Sequence, residues 1–162
     1  MRVSQTLTLS ALVLATGTVA DGFWLAKNTL SGIGTRGIGG GVKPGAGWMY
    51  IFVDDVQNCD QISHAGLING YSDVSKHRGI RIKWKDQGDK IEKLVPLEVE
   101  WNTDKAHATW YANRDGAVVD TKGKKLFTCK ADTTKQKRCS LPAAGHAEVI
   151  SIIHCDGPKP PQ

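Results

Sequence analysis

Gly79-Ile80-Arg81-Ile82-Lys83-Trp84-Lys85 places Ile80, Ile82 and Trp84 on one side of an extended chain and Arg81, Lys83 and Lys85 on the other. That period of two is the signature of a half-buried strand. After a turn at 86–89, Leu97, Val99 and Trp101 alternate in the same way against Glu98 and Glu100. Paired as an antiparallel hairpin, the two strands set a basic outer face beside an acidic one, worth roughly 0.2 to 1 kcal/mol for each good cross-strand pair. Pro96 interrupts the ladder at its start.

The same reading extends outward. Trp48–Val53 is an apolar run bounded by Asp54 and Asp55, and reads as a buried strand. Further strands are predicted over 106–112, 117–120, 126–130 and 148–155, separated by turn signals at 102–104, 113–116 and 121–123. One short helix is predicted from Asn58 to about Ile68, capped by Asn58 or Asp60. Short strands at this spacing predict a mainly β chain, an antiparallel sandwich or small barrel with one short helix. Trp84, Trp101 and Trp110 fall on inward faces and read as core.

Residues 1–20 read as an export signal: Arg2, a short apolar run over 7–15, and small residues ending at Ala20. The run is far shorter than the ~20 residues that span a bilayer. The predicted organisation is a signal at 1–20, an N-terminal Gly-rich segment at 21–47, one β-rich domain at 48–156 and a Pro-rich, extended and mobile tail at 157–162. The chain carries 21 Lys and Arg against 16 Asp and Glu. The excess favours anionic surfaces without naming one.

An even count of four Cys in an exported chain predicts two disulfides. Three pairings are possible. Cys129 and Cys139 flank a polar, Lys-rich segment that reads as a hairpin tip, which favours Cys129 with Cys139 and leaves Cys59 for Cys155. Zinc ligation is disfavoured by the absence of a C-x-x-C pair.

No catalytic set stands out. Gly32 to Gly37 matches G-x-G-x-x-G, but a glycine triplet and Pro44 follow where the helix of a dinucleotide site must begin. The string reads as loop, and no cofactor or metal is expected. G-x-S-x-G and H-E-x-x-H are absent. The five His are scattered: His64 on the helix, His77 by a basic turn, His107 and His154 in strands, His146 in a loop. Leu97 to Trp101 faintly resembles the strand around the catalytic Glu of small secreted fungal ribonucleases. That resemblance implies Glu98 or Glu100 as base, His154 or His107 as acid, and Arg114 or Arg81 on the phosphate. The simpler reading is that both Glu balance Arg81 and Lys83 on a solvated face, so nucleic acid is not the expected partner.

The strongest surface feature is basic: clusters at 76–78, 122–125 and 135–138. Lys130, Lys135, Lys137 and Arg138, between two Cys, are the candidate partner-binding residues. An export signal, one basic domain of about 142 residues, a small even Cys count and no recognisable active site together resemble a small secreted fungal effector. In layout the chain is most similar to the necrosis-inducing secreted protein family of Colletotrichum and relatives. The resemblance implies a non-enzymatic virulence protein, acting in the host apoplast or host cytoplasm. It would bind host plant proteins, immune receptor kinases and their cytoplasmic partners, suppress pattern-triggered immunity and induce cell death when overexpressed.

Overall fold

A computed structural model describes residues 22–31, 48–86, 93–141 and 145–161. The export signal predicted at 1–20, the Gly-rich string at 32–47 and most of the predicted 86–89 turn lie outside the described residues. The chain is mainly β: β1 (Phe23–Ser31), β2 (Met49–Val53), α1 (Cys59–His64), β3 (Ile68–Asn69), β4 (Gly79–Trp84), β5 (Pro96–Asn102), β6 (His107–Tyr111), β7 (Ala117–Asp120), β8 (Lys125–Ala131), β9 (Gln136–Leu141) and β10 (Gly145–Cys155). These strands form one antiparallel sheet in the order β3-β2-β1-β10-β8-β7-β6-β5-β4, with β9 also on β10. The sheet is not closed. A single parallel bridge, Gly70 to Ile80, brings its two ends together at one point.

The β4–β5 hairpin pairs as the sequence predicts, Arg81 facing Glu100 and Lys83 facing Glu98, but the register shifts where Trp84 meets Pro96, and Leu97, expected on the buried side, is exposed. Inside the curled sheet lie Phe23, Leu25, Phe52, Ile80, Val99, Trp101, Trp110, Ile152 and Ile153. Trp101 and Trp110 are fully buried, and Trp84 packs half-buried at the margin. A second, smaller core on the opposite face of β1, β2 and β10 joins Ala26, Ile51, Val53, Val149 and Cys139 to Ile62 of α1. The helix is shorter than predicted. Asn58 is the cap, its Oδ1 accepting from the N–H of Asp60 and of Gln61 at 3.0 and 3.1 Å, and Ile68 begins β3.

The domain boundary at residue 48 is corrected, because β1 lies between β2 and β10. Its register on β10 shifts between Leu25 and Ala26, so both are buried, on opposite faces. A strand covered on two sides and bulged in its middle shows no clean alternation.

The predicted hairpin tip between Cys129 and Cys139 is also corrected. β8 and β9 run in line along one edge of β10, Cys129 opposite Cys155 and Cys139 opposite Ala147. They are joined by a jog in which the Ser151 N–H donates to the Lys135 carbonyl at 2.9 Å and the Lys135 N–H to Ser151 Oγ at 3.0 Å. The two Cys therefore stand at separate places along β10. The bridges are Cys59–Cys139, which ties α1 to β9, and Cys129–Cys155, which joins facing strand residues with Cα atoms 3.9 Å apart. All four Cys are bridged, with neither favoured pairing formed. His146, expected in a loop, lies in β10.

The tail, predicted to be mobile, is docked. Gly157 lies so close to Phe127 that a Cβ would overlap the ring. Lys159 Nζ sits 2.9 Å from Asp54 Oδ2, and Pro160 is buried. No helix among the described residues is long and apolar enough to cross a membrane.

Candidate functional site

Period-two geometry sends Arg81 and Lys83 of β4, Glu98 and Glu100 of β5, and His107, Thr109 and Tyr111 of β6 to the outer face of the sheet. Arg81 lies between the two acids. Its Nε donates to Glu100 Oε2 at 2.9 Å, and its Nη2 lies 2.7 Å from that oxygen and in close contact with Glu98 Oε1. Lys83 Nζ reaches Glu98 Oε2 at 3.1 Å. His107 Nε2 donates to Glu100 Oε1 at 2.9 Å from across the strand pair.

The Arg81, Glu98 and Glu100 side chains are only 19%, 16% and 11% exposed. Burial works against the charged form of Glu100. The hydrogen bonds from His107 and Arg81, with their charges, outweigh it and hold the carboxyl below the ordinary glutamate range. The network is thus an ionised carboxylate with both oxygens engaged, clamped by a guanidinium and an imidazole. Beside it a cavity of about 310 Å³ is lined by Lys83, Leu97, Glu98, Tyr111, Asn113 and Arg114. Arg114 lies over the Tyr111 ring at 4.3 Å.

Of the alternatives that the ribonuclease resemblance left open, Arg81 and His107 join the two Glu, and Arg114 lines the adjoining cavity. His154 does not join them. It stacks on Trp24 with centroids 4.3 Å apart and faces Lys130 across the β10–β8 pair. The sequence pattern does not single out Lys83, Tyr111 and Asn113 for that cavity, and period two adds Tyr111 only once β6 is placed against β5. Chemically, the patch offers a carboxylate base and cations for an anion. Glu100 and His107 are in direct contact, however, and a base and an acid acting on opposite sides of a phosphorus need that phosphorus between them.

The basic candidates separate into two places. Lys130 is exposed on β8 opposite His154. Lys135 stands in the jog, with Lys137 and Arg138 on β9. Arg138 Nη2 donates to His146 Nε2 at 3.0 Å, a direction fixed by arginine having no acceptor. Gln136 Nε2 donates to Glu148 Oε1 at 2.8 Å. Among the described residues, no cluster of three or more His, Cys, Asp or Glu is arranged to hold a metal ion. Compared with known proteins, the chain matches no family model, no curated protein and no solved structure.

Proposed function

We propose that the protein is a secreted effector that acts by binding host plant proteins, with immune receptor kinases and their cytoplasmic partners as the targets implied by the resemblance in layout. The observation that carries the reading is β9: a strand bearing Lys137 and Arg138, with Lys135 at its entrance, fixed to the body of the domain by the Cys59–Cys139 bridge. A charged surface held rigid before docking loses little conformational entropy on association, and its charge steers acidic partners. The test is surface plasmon resonance of the full mature chain against a panel of plant receptor-kinase cytoplasmic domains, alongside a cell-death assay in leaves. Saturable binding that weakens with salt is the expected result. No binding across the panel, with cell death intact, overturns the kinase assignment.

A second reading, a secreted ribonuclease-like protein that cleaves or binds RNA, is supported by one observation: Arg81, Glu98, Glu100 and His107 form one network beside a cavity with Lys83 and Arg114. Incubation with total RNA separates the two. Robust cleavage lost in Glu98→Gln or Glu100→Gln selects the enzyme; intact RNA selects the binding protein.

A further inference from the structure

β9 pairs with β10 along one edge, and among the described residues no strand pairs with its other edge. The direction of its backbone groups follows from the jog. Because the Ser151 N–H bonds the Lys135 carbonyl, residues 135, 137, 139 and 141 turn their N–H and C=O toward β10, and residues 136, 138 and 140 turn theirs outward. The outward carbonyl of Gln136 accepts from Gln57 Nε2 at 3.3 Å. The outward groups of Arg138 and Ser140 lie on exposed residues. α1 contacts β9 and is bridged to it through Cys139, whose buried side chain lies in the small core on one face of the strand and not along its edge.

An unpaired edge is a template for a further strand, and charge decides which one. Two copies of β9 side by side would juxtapose Lys137 and Arg138 with their own counterparts, which opposes self-pairing. An extended segment with Glu or Asp at alternate positions would meet Lys135 and Lys137 with opposite charge on one face of the strand, or Arg138 on the other, while its backbone bonds the outward groups of Arg138 and Ser140. We infer that β9 is a strand-addition site for an acidic, extended segment of a partner protein. This rests on the proposed binding function and specifies its mode.

The probe is a fluorescein-labelled nonapeptide of alternating Glu and Val, titrated into the full mature protein by fluorescence anisotropy. Saturable binding is expected, weakened at least tenfold by N-methylation of alternate peptide bonds and abolished when Lys replaces Glu. Hydrogen exchange should slow at the amides of Arg138 and Ser140. Ser140→Pro removes an outward N–H without touching the bonds to β10. It should weaken the peptide at least tenfold, and Lys137→Glu with Arg138→Glu should invert the charge preference with β9 left able to pair.

Equal binding of the N-methylated peptide, no binding up to 1 mM, or a protein that sediments as a dimer through this edge overturns the inference. Kinase binding that persists when the peptide fails leaves the effector reading standing and removes only strand addition. Loss of kinase binding in the panel with the peptide still held removes the kinase assignment and keeps the site.

Discussion

Glu100 shows how one residue links local chemistry to the stability of the whole chain. Its oxygens are taken by Arg81 and His107, and its carboxyl is held below the ordinary value near 4.3. A depressed folded value means that the unfolded chain binds the proton more readily. The stabilisation is therefore complete above the unfolded value and is lost as pH falls through the folded one. As pH falls below about 4.3, the ordinary glutamate value, the thermal midpoint of the native chain should fall more steeply than that of Glu100→Gln, by differential scanning calorimetry. Asp132 and Asp156 titrate low as well: burial opposes the charged form of Asp132 but Thr134 outweighs it, and Thr128 lowers Asp156, so the informative quantity is the difference between the two slopes. Arg81→Met tests the same network from its cationic side. It leaves two mostly covered carboxylates facing each other's charge with only Lys83 and His107 near, and partial exposure tempers the penalty to about 2 kcal/mol. Urea unfolding at pH 7 measures it, and a loss below 0.5 kcal/mol would show that the ion network is solvated.

Among the elements, those legible in the sequence are the ones with a single buried face. β4 and β5 bury one face each, so their pairing and charge complementarity could be read from Ile80, Ile82, Val99 and Trp101 set against Arg81, Lys83, Glu98 and Glu100. β1 could not be read, because it is packed on both sides and bulged at Leu25. β9 reads as a turn because Lys, Arg and Gln dominate its composition. Cys139 and Leu141, spaced two apart from Lys137, carried the strand signal. The site was half legible for the same reason: Arg81 and the two Glu follow from one hairpin, whereas His107 and His154 are equivalent until β6 and β10 are placed. Composition alone does not reveal the docking of the tail. Proline and glycine predict an extended chain, and it is extended, but the Phe127 ring and Asp54 hold it down. Gly157→Ala tests that docking. The new methyl must displace the Phe127 ring, which also stacks on Trp101 and meets Phe23 edge-on, so about 1 to 3 kcal/mol should be lost in urea unfolding. An unchanged midpoint would mean that the tail lifts off at little cost.

For the whole molecule, the two bridges act on different parts of the topology. Cys129–Cys155 joins neighbouring strands of the main sheet across a sequence separation of 26, while Cys59–Cys139 spans 80 and is the covalent tie between α1 and β9. Chain entropy alone assigns about 3.5 kcal/mol to the shorter loop and about 4.5 kcal/mol to the longer one. The local reading that paired Cys129 with Cys139 failed because nearness in sequence was taken for nearness in the fold. The jog at 132–135 lets β8 and β9 continue along β10 instead of folding back, so the partners come from distant segments. Non-reducing proteolysis with mass spectrometry should recover the Cys59 peptide linked to that of Cys139, and the Cys129 peptide linked to that of Cys155. A Cys129–Cys139 linked peptide as the main species would overturn both the connectivity and the in-line arrangement of β8 and β9. With the connectivity established, the double variant Cys59→Ser and Cys139→Ser should lose about 4 kcal/mol in urea and speed hydrogen exchange in α1 and β9 most, because the small core between them is then held by apolar packing without its covalent tie. Uniform acceleration across β4 to β7 instead would place the bridge's effect in the unfolded chain and not in the local tie.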